Sequence, residues 1–197
     1  VGVSANESST TGGSNVAIGY NSHRYISGGD KNIAIGYAAL QSSGTPANND
    51  AQYNIGIGYW ALLAITDGDN NTVLGNLAAS AMTTTSNTVI IGVEAGDAIN
   101  STDANGSVLI GRSAGGAITT GRYNTAIGYQ ALDSATELDK NTAVGYSTLS
   151  AMSGSAGTGL NTAVGYIAGT AVTTGTHNTI VGANSGNTIN TGQYNTI

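Results

Sequence analysis

A glycine recurs through this chain at a nearly fixed interval, and that interval limits the possible folds more than any other feature. It closes the motifs NVAIGY (15–20), NIAIGY (32–37), NIGIGY (54–59), NTAIGY (124–129) and NTAVGY (141–146 and 161–166). The anchors are Gly2, Gly19, Gly36, Gly58, Gly75, Gly92, Gly111, Gly128, Gly145, Gly165 and Gly182, at intervals of 17, 17, 22, 17, 17, 19, 17, 17, 20 and 17 residues. A unit of this length cannot bury an apolar face alone, so neighbouring units must stack. Seventeen residues suit one coil of a parallel β-solenoid, whose equivalent residues lie about 4.7–4.9 Å apart in successive coils. The whole of 1–197 is expected to be one repeat array, all-β, of about eleven units forming a rod on the order of 50 Å long.

The third, sixth and ninth intervals are the long ones, with extra residues at Ser42 to Gln52, Asp97 to Gly106 and Ala151 to Leu160. With one unit per coil, these insertions make a row of loops along one edge, about 14 Å apart. The competing geometry is a larger turn of three units with every insertion at the same corner. The chain closes on Asn195-Thr196-Ile197 and opens on Val1-Gly2, two complementary halves of the motif. That match is expected either of a head-to-tail filament subunit or of a segment from a longer array.

Each unit carries recurrent rows. The residue before the anchor is a branched aliphatic, as in Ile18, Ile35, Leu74, Ile127 and Val181, and is expected to form a core row, with tyrosines such as Tyr20, Tyr37 and Tyr129 on the same face by period-two alternation. A small residue stands three after the anchor (Ala39, Ala61, Ala131) and an apolar one often stands seven after it (Ile26, Ile65, Met82, Ile118), predicting a second core row. Asn at the unit start (Asn15, Asn32, Asn54, Asn71, Asn124, Asn141, Asn161, Asn178, Asn195) predicts a side-chain amide ladder. Asn87 to Gly92 and Gly106 to Gly111 read as having one residue more before the glycine. The intervening Gly, Asn, Asp, Ser and Thr are turn formers, and no segment holds helical apolar spacing for three turns. The residue two before the anchor is small or apolar (Ala17, Val73, Ala126), so both strand faces look fit for packing, and the second layer is expected from another copy of the chain.

The repeat N-T-A-[IV]-G-Y-x-A-L, present as Asn124 to Leu132 and nearly so as Asn141 to Leu149, resembles repeats of bacteriophage tail-fibre proteins. More distantly, it is similar to the A-I-G-x-x-[AS] repeats of trimeric autotransporter adhesin heads. The resemblance implies a homotrimeric β-roll or β-helical shaft, extracellular, on a cell surface or on a virion, that attaches to a receptor or surface. It carries no catalytic residue onto this chain.

Composition narrows the chemistry. Net charge is -6 and the only cations are Arg24, Lys31, Arg112, Arg122 and Lys140, so a nucleic-acid footprint is not expected. No apolar run reaches the roughly 18 residues of a membrane span. With no cysteine, thiol nucleophiles and thiolate metal sites are ruled out. The carboxylate neighbours Asp67 with Asp69, Glu94 with Asp97, and Glu137 with Asp139 are what a polysaccharide depolymerase would use as acid and base. They sit in turns, where Asp is a preferred residue anyway, so no enzyme activity, cofactor or metal is expected. His23 and His177 show no ligand spacing and read as solvated. A threonine row at Thr10, Thr66, Thr83, Thr119, Thr136, Thr173 and Thr191 admits an ice-binding alternative, and Trp60 and Tyr25 are candidate platforms for a cell-surface glycan.

Overall fold

The computed structural model describes residues 1–42, 49–101, 104–154 and 157–197. It is a parallel β-solenoid with one repeat unit per coil. Ten three-residue strands form one sheet: β1 (Val16–Ile18), β2 (Ile33–Ile35), β3 (Ile55–Ile57), β4 (Thr72–Leu74), β5 (Val89–Ile91), β6 (Val108–Ile110), β7 (Thr125–Ile127), β9 (Thr142–Val144), β11 (Thr162–Val164) and β12 (Thr179–Val181). Each strand pairs in parallel with the next in sequence, in a register that sets equivalent unit positions side by side, as Ala126 beside Ala143. The three-unit turn is thereby excluded. The short pair β8 (Leu138–Asp139) and β10 (Gly157–Thr158) lies apart, β10 falling within the third insertion. Residues 43–48, 102–103 and 155–156, within the three insertions, lie outside the described residues; the first insertion comes before the position eight after the anchor, where Asn49 lies beside Ser27, and the other two come after it, beyond Asn100 and Ser153.

The anchor is glycine for two reasons. Its φ runs from +130° to +149° across the eleven anchors, a conformation that L side chains rarely adopt. At Gly128, moreover, an added Cβ would land on the carbonyl of Gly145 in the next coil, because backbones stack there without side chains between them. Beyond the anchor the chain folds back through residues in the left-handed region. The second residue after the anchor is there in every unit, including Ala38 (φ 52°), Trp60 (φ 57°) and Gln130 (φ 49°). The fourth residue after the anchor is there as well, as at Leu132 (φ 56°). Such residues persist only where surroundings over-determine them. Here coil-to-coil hydrogen bonds do so: Gln130 N–H donates to Arg112 O (3.0 Å) and Leu132 N–H to Thr148 O (2.9 Å).

The sheet is oriented opposite to the expectation from hydropathy. The residue two before the anchor points inward and is fully buried, as Ala34, Val73, Ile90, Leu109, Ala126 and Ile180 show. The branched aliphatics next to the anchor point outward, with Ile18 46% and Val181 59% exposed. A slim coil has little interior volume, so the inward position is Ala or Gly in six of the ten strands, and where it is Ile90, Leu109 or Ile180 the turn after it carries a glycine. The rows three and seven after the anchor are buried as expected, from Ala39 and Ile65 to Ala131 and Met152.

Volume is balanced between the inward strand position and the position four after the anchor. Ala34, Ala126 and Ala143 accompany Leu40, Leu132 and Leu149, whereas Ile90, Leu109 and Ile180 accompany Gly96, Gly115 and Gly186; Ala163 accompanies Gly169, whose space Leu149 and Ile180 of the neighbouring coils take. A Cβ on Gly96 or Gly115 would press on Leu109 at 2.9 and 2.8 Å. Where Ala135 replaces the usual large residue seven after the anchor, Leu138 is buried at a position that is glycine in several coils. Interiors are close-packed, so such compensation is required rather than incidental.

Two polar ladders bind the coils. In the expected one, each Asn four before the anchor accepts from the next: Asn178 N–H and Nδ2 both donate to Asn161 Oδ1 at 3.0 Å. Most Nδ2 groups also donate to a carbonyl across the coil, as Asn124 to Leu138 O (2.7 Å), while that of Asn141 turns to Asp139 O two residues before it (3.2 Å). Thr88 and Ser107 occupy the Asn position in two coils and continue the ladder with their hydroxyls. The repeats before Gly92 and Gly111 are therefore of ordinary length, not one residue longer. The second ladder, six before the anchor, runs the other way. Gln52 N–H donates to Asp69 Oδ1 (2.8 Å), Ser86 N–H to Asn105 Oδ1 (2.7 Å) and Arg122 N–H to Asp139 Oδ1 (2.9 Å).

Candidate functional site

The surface most distinct from its surroundings is the outer face of the ten-stranded sheet. The first strand position supplies Val16, Ile33 and Ile55 in the early coils and Thr125, Thr142, Thr162 and Thr179 in the late ones, while the third supplies Ile, Val or Leu throughout. Tyrosines beside the anchor border the strands in two stacks. Tyr20, Tyr37 and Tyr59 have centroids 5.2 and 5.3 Å apart, and Tyr129, Tyr146 and Tyr166 repeat those spacings. Offset aromatic pairs of this kind contribute about 0.5–1.5 kcal/mol each beyond burial. Because each inner ring is covered by its neighbours, these tyrosines present edges and hydroxyls rather than open faces.

Trp60 extends the first stack, its ring 4.9 Å from that of Tyr59. It is half-buried. Tyr25 lies two coils earlier, at a different position in the unit, with the Arg24 guanidinium 4.7 Å from its ring centroid. The structure does not bring Trp60 and Tyr25 together.

The carboxylates are engaged in holding coils. Asp69 and Asp139 belong to the second ladder, and Asp139 also pairs with Arg122 Nε at 3.3 Å. Asp67 Oδ1 accepts from Asp50 N–H (3.4 Å), and Glu94 faces Arg112 at 3.9 Å. Asp97 and Asp133 flank the side-chain-free Gly116, and burial holds both carboxyls above the usual aspartate range. Among the described residues, no group of three or more His, Asp or Glu is placed to hold a metal ion.

His23 corrects the sequence reading: it is fully buried, not solvated. It occupies the position that is leucine in four other coils and is satisfied on both nitrogens, Nδ1 by Asn6 Oδ1 (2.8 Å) and Nε2 by Asn32 Nδ2 (3.1 Å). The Asn32 amide is oriented by its own bonds, Nδ2 donating to Ala51 O and Oδ1 accepting from Asn54 N–H, so the imidazole is neutral with its proton on Nδ1. Burial lowers its pKa to about 4. His177 stacks on Tyr194 at 4.6 Å. In the threonine row the hydroxyls of Thr66, Thr119 and Thr173 donate to the carbonyls of Thr83, Thr136 and Asn190, tying one corner of each coil to the next.

Comparison of this chain with family models, with curated proteins and with solved structures gives no match. The chain is a repetitive parallel β-solenoid with turns of about 17 residues. The outward aliphatic row was the feature sequence reasoning misplaced. The inward row's pairing with the fourth residue after the anchor, visible as Ala with Leu and Ile with Gly, was the signal that would have found it.

Proposed function

We propose that this chain is a structural segment of an extracellular or virion fibre, a stiff rod whose insertion loops serve surface attachment. The observation that carries this reading is the coincidence, through much of the rod, of strand pairing with the two polar ladders, one running each way. Bending or sliding a coil then breaks several bonds together, which suits a load-bearing shaft. The tail-fibre-like repeats N-T-A-[IV]-G-Y-x-A-L support the same reading. Trp60, beside the first tyrosine stack, is the aromatic residue proposed to meet a cell-surface glycan.

Negative-stain electron microscopy with small-angle scattering tests the rod: a particle about 50 Å long per chain and slender in cross-section is expected. A compact particle, or release of sugar from capsule by the purified chain, overturns the structural reading.

A second reading, ice binding, rests on a different observation from the threonine row at the coil corner. Thr125, Thr142, Thr162 and Thr179 make an outward hydroxyl-and-methyl row alternating with Ile127, Val144, Val164 and Val181 on a regular sheet. Thermal hysteresis in a freezing-point assay separates it from the fibre reading.

A further inference from the structure

We propose that the outer face of the ten-stranded sheet is covered by a second copy of this chain. This deepens the rod reading and rests on it for the straightness of the face. The face is apolar in a way that scattered surface residues are not: its third strand position is Ile, Val or Leu in every strand of the sheet, and its first is Val or Ile in five strands and Thr in the other five. Across ten strands, with the tyrosine row beside them included, it measures about 45 Å by 13 Å, near 600 Å² in projection and more along the side-chain contour. That approaches the roughly 800 Å² per partner of a stable protein pair.

Three observations select a second copy over another occupant. Side-chain ridges recur at one strand spacing along the whole face, and only another solenoid of the same rise can interdigitate with them from end to end. Charge agrees: the net charge is -6, yet the outward strand rows and the tyrosine row contain no carboxylate and a single cation, Arg112, which already faces Glu94. Two copies can therefore approach without like-charge conflict. Finally, the tyrosine edges and hydroxyls lie along the border, giving the polar rim that an apolar interface core needs.

Because the native chain has no cysteine, a single introduced thiol reports on this face. Val144→Cys, on the outward row, is expected to react with a maleimide at least tenfold more slowly as protein concentration is raised a hundredfold. Thr136→Cys, on an exposed corner, is expected to keep its rate. Sedimentation velocity should give at least twice the mass of one chain for the native protein, and one chain's mass for the Ile91→Lys, Val164→Lys double variant. A Ser134→Lys, Thr136→Lys variant should assemble like the native protein. Circular dichroism checks that the lysine variants fold; if the outward pair does not, the thiol experiment on the native face decides. A concentration-independent Val144→Cys rate, together with a single-chain mass at several hundred micromolar, overturns the inference. The frictional ratio distinguishes the two readings. An elongated monomer leaves the rod standing without its partner, whereas a compact one removes the rod itself.

Discussion

His23 stands where Leu40, Leu62, Leu132 and Leu149 stand in other coils, and its burial ties the first coils to pH. The folded pKa, about 4, lies below the ordinary value of 6.5, so the neutral ring is the folded form. The associated stability is complete above pH 6.5 and is lost as pH falls toward 4, amounting to about 3 kcal/mol at the acid end. Denaturant melts at pH 7 and pH 4.5 should show this loss, and His23→Leu should flatten the difference. Loss of the slope in a variant that keeps His23 would point to another group. Asn141 illustrates the other kind of residue-scale dependence. Its Oδ1 accepts from Asn161 N–H (3.1 Å) and its Nδ2 donates to Asn124 Oδ1 (3.2 Å), all buried. Asn141→Ala strands the Asn161 amide, so a cost of about 3 kcal/mol is expected in urea unfolding. Ser134→Ala, exposed, should stay within about 0.5 kcal/mol of the native value.

Within a coil, the inward strand residue and the turn after it pack into one interior space, as Ile180 does against Gly186. Ala126→Ile alone overfills that space against Leu132 and should cost about 1–3 kcal/mol. Combined with Leu132→Gly it recreates the pairing of Ile90 with Gly96, and the double variant should be less destabilised than the sum of the two single changes, as measured by a thermodynamic cycle. Additive costs would mean that the two positions do not share volume. The same pairing explains what could be read in advance. Glycine spacing, the Asn ladder and the buried rows of Ala61 and Ile65 were legible because each repeats a residue type whose chemistry has one use at that place. The facing of the strand was not. Period-two alternation divides a strand into two sides without saying which is inside, and hydropathy favours the Ile, Val and Leu row over a row containing Ala17, Gly56 and Ala126. Interior volume decided against hydropathy. His23 was misread for a related reason, since its two partners, Asn6 and Asn32, come from neighbouring coils and are 17 and 9 residues away in sequence.

At the scale of the molecule, nearly every coil is held by two neighbours and an end coil by one. Stability is then a sum of coil terms and interface terms, and opening is expected to proceed from the ends. Hydrogen exchange should find the amides of Val89–Ile91 and Val108–Ile110 protected longest and those after Gly186 exchanging first. Uniform protection along the chain would instead indicate a single all-or-none unit. The register of the sheet carries a further consequence. Because equivalent positions of successive coils lie side by side, a 17-residue cassette can be gained or lost by gene duplication or deletion while strand pairing and the Asn ladder continue across the join. Each event changes the length by one strand spacing, about 4.8 Å. Reach is thus a matter of copy number, adjustable in even steps while the cross-section stays unchanged.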